Sequence, residues 1–307
     1  MAKPFLHGIL KRYQLDGLIQ TLSSSLPGTL SNSVLLEVFH QKTLSLSPKE
    51  ILQAYEANRF VQPSNAPFFK LQELKIQLLQ KAAEAGFEPL QLSPVSPLGT
   101  CSVVGPTHQN KIVSATRGTE VVADATNVLA LETAFRRKKG YKDTIKLCTT
   151  HRHVRAQKFD FKGFTPHFDI FCMTTSGRDT GNYTFESLAL SEHLKFYHAW
   201  AASLNLASGF RVAFFVTGAQ GAQFYQKSVE PLFQGLFPFE VDYIGENEEP
   251  YYNLCRAKVS LTFGETNIEI IDCGFTDWTA KLCANRKERM LISGLGVELV
   301  AKLTDTL

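Results

Sequence analysis

The sequence has no uninterrupted apolar stretch that approaches the roughly 20 residues of a membrane-spanning helix. The first residues, Met1-Ala2-Lys3-Pro4, are not followed by a long apolar core, so no signal peptide is expected. The six cysteines lie far apart and form no CxxC pair, which argues against a zinc site or a redox motif. We therefore expect reduced thiols in a cytoplasmic protein that does not enter a membrane.

Common nucleotide and metal motifs are also missing. There is no GxxxxGK[ST] phosphate loop and no GxSxG nucleophile elbow. The segment 218–221 is glycine-containing but does not complete a dinucleotide-binding fingerprint. His151 and His153 alternate on a predicted strand, yet no third ligand is evident, so no metal site is predicted.

The composition is that of a globular protein. Of 307 residues, 44% are hydrophobic and 20% are charged, so disorder is not expected to dominate. The formal net charge of +3 gives no argument for binding DNA. The length is sufficient for one large domain or two smaller ones.

Two regions are predicted from the pattern of the chain, a helical region over 1–65 and a core over 66–307. Ser47-Pro48-Lys49-Glu50 is a capping box that opens a helix through about Arg59. The stretch Gln62–Pro67 interrupts the pattern and is predicted to be a linker.

The core alternates long helices with short strands. Helices are predicted over 67–85, 125–139, 185–204 and 277–285 and from 297 onward, with Gly86 as the C-cap of the first. Strands are predicted over 103–104, 112–115, 121–123, 145–157, 167–175, 211–217, 240–244, 257–263 and 268–272. Because hairpins outnumber strict βαβ units, we expect an α+β fold with a mainly antiparallel sheet flanked by helices.

Five segments follow one another in a distinctive order. They are the helix end Ala85-Gly86-Phe87, the turn Val122–Thr126, the hairpin from His153–Gln157 to His167–Phe171, the tyrosine pair with Asp272–Asp277, and Ser293–Leu299. In this order they resemble the class II aminoacyl-tRNA synthetases, and most closely the histidyl branch and its paralogues. The resemblance covers about residues 67–303 and implies a synthetase-like core, although a chance resemblance of an ordinary α+β domain stays open.

The turn at 122–126 resembles the Arg-Pro-Glu-Gly-Thr turn of the family, in which the acidic residue holds the α-amino group of the substrate. The resemblance implies that Asp124, with Thr126 beside it, binds an ammonium, for which a charge-assisted hydrogen bond is well suited. The alternative is that Asp124 is only the N-cap of the following helix.

The hairpin resembles the Arg-x-Glu motif of the family and its returning strand. The resemblance implies that Arg155 is the catalytic arginine, which contacts the α-phosphate of ATP, and that Gln157, His167 and Phe168 lie beside the ligand. Gln157 departs from the family glutamate. The alternative for Arg155 is a solvated arginine on a strand.

The resemblance implies that the last two segments, the tyrosine pair with 272–277 and the segment 293–299, form walls of the pocket. Tyr251 and Tyr252, together with Gly274, correspond to residues that line the amino-acid pocket, or else the tyrosines pack in a core. Gly294 and Gly296 resemble the glycines that let the backbone approach the ligand. Leu299 stands where the family has an arginine that stacks on adenine, and leucine offers neither a donor nor a charge.

Two functions follow from the resemblance. One is a non-catalytic paralogue that binds an amino-acid-like small molecule, as in the regulatory subunit of ATP phosphoribosyltransferase. The other is an ATP-dependent ligase that forms an adenylate, for which ATP and Mg²⁺ are the expected cofactors. Either function implies a homodimer, whereas the low basic content of 1–65 gives no support for tRNA binding.

Overall fold

The computed structural model describes residues 2–156, 165–204, 206, 209–245 and 251–305. The α-helices are α1 (Ala2–Arg12), α2 (Leu18–Gln20), α3 (Gly28–Leu44), α4 (Pro48–Ala57), α5 (Phe68–Glu84), α6 (Ala125–Lys138), α7 (Thr184–Ser203), α8 (Gly218–Phe224), α9 (Glu230–Phe233), α10 (Trp278–Leu282) and α11 (Val297–Thr304). The β-strands are β1 (Glu88–Pro89), β2 (Val95–Pro97), β3 (Ser114–Ala115), β4 (Thr119–Val121), β5 (Ile145–Val154), β6 (His167–Arg178), β7 (Arg211–Thr217), β8 (Phe239–Ile244), β9 (Asn253–Phe263), β10 (Thr266–Thr276) and β11 (Glu288–Leu295).

Eight of the strands form one sheet in the order β1-β5-β6-β11-β10-β9-β7-β8. Its centre is antiparallel throughout, and only the outer pairs β1–β5 and β7–β8 are parallel. The strands β2, β4 and β3 form a separate antiparallel sheet. The predicted α+β class, with a mainly antiparallel sheet flanked by helices, is confirmed.

The register of β5 and β6 determines which residues share a side of the sheet. His153 pairs with Phe168, and His151 pairs with Ile170. Because side chains alternate along a strand, these four point to one side, which we call the open face. Helix α6 packs over one end of the open face through Leu129, and the rest of that face borders a cavity.

The opposite side of the sheet carries the largest apolar cluster. Helix α5 contributes Leu74 and Leu78, and α7 contributes Tyr197 and Trp200, all of them fully buried. Apolar residues recur on one stripe of α5, as expected for an amphipathic helix. Burial of such side chains contributes about 1.5–3 kcal/mol each, so this side stabilises the sheet while the open face remains accessible.

The predicted strand at 103–104 is wrong. Residues Thr100–Val104 form a single π-helical turn. The buried carboxylate of Glu120 accepts hydrogen bonds from the backbone N–H groups of Gly99 and Cys101 at 2.8 and 2.9 Å. Because a side chain satisfies these donors, the local backbone does not need a neighbouring strand. The predicted strand at 112–115 is also shorter, since only Ser114–Ala115 pairs with β4.

The amino-terminal region is helical as predicted, and α4 begins with the predicted capping box of Ser47 and Glu50. Among its described side chains only Ser31 is buried, so α1–α4 make few core contacts. The division of the chain near residue 65 stays a prediction. No helix in the described part of the chain is long and apolar enough to cross a bilayer.

The predicted linker at 62–67 is attached to the core at two points. The backbone oxygen of Gln62 accepts a hydrogen bond from Nε2 of His167 at 2.7 Å. The hydroxyl of Ser64 donates to Oε1 of Glu298, at the start of α11, at 2.5 Å. The segment therefore contacts both the returning strand of the hairpin and α11.

We expect Ser64→Ala to lower the free energy of unfolding by about 1–2 kcal/mol, because a partly buried carboxylate loses a donor. Urea titration followed by circular dichroism measures the change. Ser45→Ala is the matched control, because that exposed hydroxyl donates only to the nearby backbone oxygen of Lys42. Equal stability of Ser64→Ala and the wild type would contradict the attachment.

Candidate functional site

A cavity of about 840 Å³ opens on the open face of the sheet. Its walls come from β5, β6, β9, β10 and β11 and from the first turns of α6 and α11. Eight residues predicted from the sequence to bind a ligand line it together: Asp124, Thr126, Arg155, Phe168, Tyr251, Tyr252, Gly294 and Gly296. His167 and Gly274 are not among its lining residues, and Gln157 lies outside the described residues.

Asp124 is the N-cap of α6, as one interpretation of the sequence predicted. Its Oδ1 atom accepts from the backbone N–H of Thr126 at 3.0 Å and from the Thr126 hydroxyl at 2.6 Å. Its Oδ2 atom accepts from the hydroxyl of Tyr251 at 2.7 Å. A carboxylate has about four acceptor positions, so Oδ2 can still accept one more donor. The cap and a ligand can therefore use different oxygens of one side chain.

The Asp124 carboxylate is held in its ionised form. Burial alone would raise its pKa, but electrostatic interactions with His153 and Arg155 and hydrogen bonds from Thr126 and Tyr251 outweigh burial and bring the pKa below its usual range. Burial beside this carboxylate raises the pKa of Tyr251 well above its usual range, so the phenol stays a donor. The site therefore presents a fixed negative charge to the cavity.

His153 lies on β5 beside Asp124 and is fully buried. Its Nε2 atom accepts from the backbone N–H of Ala125 at 3.0 Å. Burial lowers the pKa of His153 from 6.5 to about 3, so the ring is neutral and carries its proton on Nδ1. That Nδ1 atom has no partner among the described residues, which leaves a buried donor in the wall of the cavity.

Arg155 continues the strand direction of β5, since its backbone N–H donates to Pro166 at 2.8 Å. Its Nε atom donates to the backbone oxygen of Ala123 at 3.1 Å, and its guanidinium lies 5.4 Å from the ring centre of Phe168. Within the described part of the chain its two terminal nitrogens have no hydrogen-bond partner. The side chain is thus held in place with a double donor facing the cavity.

Tyr252 and Gly274 pack on each other at the other end of the cavity. A Cβ atom on Gly274 would lie 2.3 Å from the Tyr252 ring, so only glycine admits the ring there. Gly274 therefore supports a pocket wall instead of lining it. Arg256 lies 5.0 Å from the Tyr252 ring centre and forms a two-point ion pair with Asp272 at 2.8 and 2.7 Å.

His167 belongs to a polar cluster at the rim of the cavity. Its Nδ1 atom accepts from Nε of Arg152 at 2.9 Å, while its Nε2 atom donates to Gln62. Arg152 also pairs with Asp169 and Glu298. Both ring nitrogens of His167 thus have partners within the chain, and the ring holds residue 62 against β6.

The segment 294–299 forms the floor near α11. A Cβ atom on Gly294 would meet only Ile170, at 3.5 Å, so the space above this glycine is open. Leu299 lines the same cavity at the position where the resemblance calls for arginine. Lys302 lies one turn later on α11 and also lines the cavity, where it pairs with Glu298 at 3.1 Å.

The carboxylates of the cavity do not fit a magnesium ion. Glu298 accepts from Ser64 and Lys302 on one oxygen, and from Arg152 and the Asp169 backbone N–H on the other. These four donors occupy all of its acceptor positions. Asp272 is held in a two-point ion pair with the guanidinium of Arg256, which neutralises its charge. In the described part of the chain no three His, Cys, Asp or Glu residues are grouped to hold a metal.

The polar residues of the cavity that sequence reasoning did not name as ligand-binding include Lys111, Arg256, Asp272 and Lys302. Arg256 and Asp272 lie on neighbouring strands, and Lys302 follows Leu299 by three residues, the spacing of one helix face. Lys111 lies near the cavity because its backbone oxygen accepts a hydrogen bond from the backbone N–H of Ala156 at 2.8 Å. Lys302 had a signal in its helical spacing from Leu299, and Asp272 in the segment 272–277 of the resemblance. Lys111 and Arg256 had none, because a loop contact and strand pairing place them there.

Comparison of structures identifies the architecture. The chain superimposes on apo histidyl-tRNA synthetase from S. aureus with a TM-score of 0.57 at 12% identity, covering 77% of this chain and 66% of that one. It has a class II aminoacyl-tRNA-synthetase-like fold. This chain therefore spans just under two thirds of the length of that synthetase.

Two further structures are similar. An ATP phosphoribosyltransferase regulatory subunit/histidyl-tRNA synthetase from Bacillus halodurans gives a TM-score of 0.55 at 12% identity, covering 79% of this chain and 82% of that one. A histidine–tRNA ligase subunit from Alicyclobacillus acidocaldarius gives 0.57 at 11% identity, covering 80% and 96%. Sequence comparison matches the chain to no family model and to no curated protein.

We expect the stability of the wild type to fall between pH 6.5 and pH 3, in part because of His153. In the unfolded chain His153 takes up a proton near pH 6.5, whereas in the folded chain it is protonated only near pH 3. Each buried neutral histidine of this kind contributes a slope of about 1.4 kcal/mol per pH unit. His153→Gln should reduce the slope of unfolding free energy against pH by about that amount.

Denaturant titrations at a series of pH values measure this slope. His40→Gln is the control, because it removes an exposed histidine from α3. An unchanged slope in His153→Gln would show that His153 does not stay neutral in the folded protein.

Proposed function

We propose that this chain is a non-catalytic paralogue of the class II synthetases that binds an amino-acid-like small molecule. The observation that carries the proposal is the common cavity of Asp124, Arg155 and the glycine strand at 294–296, into which Leu299 also projects. The cavity retains the groups for binding a charged head group and lacks the arginine that the resemblance requires for ATP.

The binding of an ammonium group is supported by Asp124. Its remaining acceptor position lies in a cavity wall, and the hydroxyls of Thr126 and Tyr251 hold the carboxylate in place. A fixed carboxylate in a partly dry site forms strong charge-assisted hydrogen bonds with an ammonium. On this proposal Tyr252 and Phe168 flank the ligand as aromatic walls.

The body of the ligand faces apolar surface. Ile170, Cys172 and Ile292 line the cavity on the open face of the sheet. Pockets of this kind bind a ligand through apolar contact and orient it with a few polar groups. We therefore expect a ligand with an amino group, an acidic group and an uncharged body.

The alternative is an ATP-dependent ligase that forms an adenylate with Arg155 as the catalytic residue and ATP and Mg²⁺ as cofactors. It is favoured by the free terminal nitrogens of Arg155 within the described chain and by Lys302 beside Leu299. The saturated carboxylate of Glu298 counts against it, because it has no position left for a metal ion.

A homodimer belongs to the proposal. The resemblance of the helix end Ala85-Gly86-Phe87 implies that α5 belongs to a dimer interface, and α5 exposes Phe68, Phe69 and Ile76 to 65%, 79% and 55%. Large exposed apolar side chains in one region mark interaction surfaces. We place the protein in the cytoplasm, and tRNA is not part of the proposal.

We expect amino acids or related amines to raise the melting temperature, because a ligand that binds only the folded state stabilises it. The same compounds should give no ATP–pyrophosphate exchange. A thermal-shift screen with and without ATP, followed by the exchange assay, measures both. Amino-acid-dependent exchange that Arg155→Ala abolishes would overturn the non-catalytic proposal and establish the ligase.

We expect Gly294→Val to abolish ligand binding with little effect on stability. The new side chain would enter open space above β11, where the nearest atom is 3.5 Å from the added Cβ, and valine suits a strand. The unfolding free energy should change by less than about 1 kcal/mol. Gly209→Ala provides the contrast, because its Cβ would lie 2.5 Å from Thr262 and should destabilise the fold. If the Gly294→Val variant still bound the ligand, this cavity would not be the binding site.

A further inference from the structure

Strand β9 begins with an irregularity just after the tyrosine pair. Asn253 pairs with Phe275 of β10, and Arg256 pairs with Gly274, so two residues of β9 have no counterpart on β10. Extra residues of this kind form a β-bulge, which bends its strand and changes the direction of the neighbouring side chains. The bulge therefore determines how the chain enters the sheet from the wall of the cavity.

The first extra residue of the bulge, Leu254, has a left-handed backbone, with φ at 62°. This conformation places the Cβ atom of an L-residue too close to the backbone, so glycine and, less often, asparagine are the residues that adopt it. A leucine keeps it only where the surrounding structure imposes it, and such residues cluster at ligand sites. The strained backbone lies two residues after Tyr252, which lines the cavity.

Two glycines hold the bulge in place. A Cβ atom on Gly221 of α8 would lie 2.3 Å from the backbone oxygen of Leu254. A Cβ atom on Gly274 would lie 2.3 Å from the ring of Tyr252. Both approaches are possible only where the neighbour has no side chain, so the bulge and the tyrosine before it pack directly on backbone.

Open space lies on both sides of this segment. Tyr252 lines the cavity on the open face, and Tyr252, Asn253 and Leu254 also line a second cavity of about 510 Å³. Side-chain packing alone would leave a segment between two cavities room to move. The backbone of the bulge and its contacts with the glycines therefore fix the position of the tyrosine pair.

We propose that Leu254 is a positioning residue for the ammonium subsite. Its left-handed backbone directs Tyr251 toward Asp124, where the phenol donates to Oδ2 at 2.7 Å. The inference rests on the proposed function, in which the same oxygen also binds the ammonium of the ligand. A hydrogen bond at one acceptor position of Oδ2 fixes the direction of the other, so the affinity for an amine depends on the bulge.

Two substitutions separate the role of the backbone from that of packing. Valine is β-branched and strongly disfavours the left-handed conformation, whereas asparagine adopts it readily. Leu254 is half-buried against the main apolar cluster. If Leu254 acted only by packing, Leu254→Asn would be the more harmful change. If its backbone positions Tyr251, Leu254→Val is the more harmful one.

Isothermal titration calorimetry with ethanolamine and the standard L-amino acids measures the affinities. For each amine that the wild type binds, we expect the affinity to fall at least about tenfold in Leu254→Val, because a hydrogen bond to a charged group is lost. Leu254→Asn should stay within about threefold of the wild type. It tests the proposal even if Leu254→Val does not fold, because a tenfold loss in Leu254→Asn would overturn it.

Tryptophan fluorescence gives a readout that needs no ligand. The ring of Tyr251 lies 5.3 Å from that of Trp278, which is 2% exposed, and the other tryptophan, Trp200, is 0% exposed. Acrylamide should therefore quench the wild type weakly. We expect stronger quenching in Leu254→Val, where Tyr251 moves away from Trp278, and wild-type quenching in Leu254→Asn.

Arg117→Val is the matched control. Arg117 is exposed, has φ at 65° and lines neither cavity. The control therefore places the same residue in the same strained backbone, and it should lower the melting temperature without changing quenching or affinity. Wild-type affinity in Leu254→Val, or weaker binding by Leu254→Asn than by Leu254→Val, would overturn the positioning role and leave the proposed function standing. If the wild type binds no amine, the proposed function fails, and quenching still shows whether Leu254 positions Tyr251.

Discussion

A carboxylate at the start of α6 has to be stabilised next to a cavity, and this constraint organises the site. Asp124 caps the helix by accepting a hydrogen bond from the backbone N–H of Thr126, and it also accepts one from the hydroxyl of Tyr251. The second hydrogen bond joins two distant parts of the chain. A charge in a partly dry environment requires donors and a countercharge. Arg155 supplies the countercharge from the neighbouring hairpin. The positions of the tyrosine, the arginine and the helix therefore depend on one another.

The sheet makes this convergence possible. Antiparallel pairing of β5 with β6 places His153 across from Phe168, and the strand direction continues to Arg155. On the other side, Trp200 and its neighbours bury the sheet against α5 and α7. The side of the sheet that packs on α5 and α7 stabilises the fold, and the open face borders the cavity.

Much of the fold could be predicted from the sequence. Hydrophobic periodicity and end signals such as the Ser47 capping box and Gly86 predict the long helices, and the apolar runs predict the central hairpin. The short turn at Thr100–Val104 could not be predicted, because a side chain from residue 120 determines its backbone. Periodicity describes elements that are stabilised by their own neighbours in sequence, and it fails where a distant group satisfies the backbone.

The candidate site divides in the same way. Asp124 and Arg155 were predicted as site residues because they belong to the ordered segments of the resemblance, and both line one cavity in the structure. Lys111 and Arg256 were missed because a loop contact and a strand pair place them there, neither of which is visible in sequence. Gly274 was expected to line the pocket, but its lack of a side chain makes room for the Tyr252 ring. Sequence spacing does not distinguish these two roles.

The most direct test is a crystal structure of the protein grown with an amine ligand found by binding measurements. We expect the ammonium within hydrogen-bond distance of Oδ2 of Asp124 and the acidic group beside the terminal nitrogens of Arg155, with the body of the ligand over Ile170. Ligand density at another surface, or Asp124 and Arg155 on separate surfaces, would contradict the assignment of this cavity as the functional site.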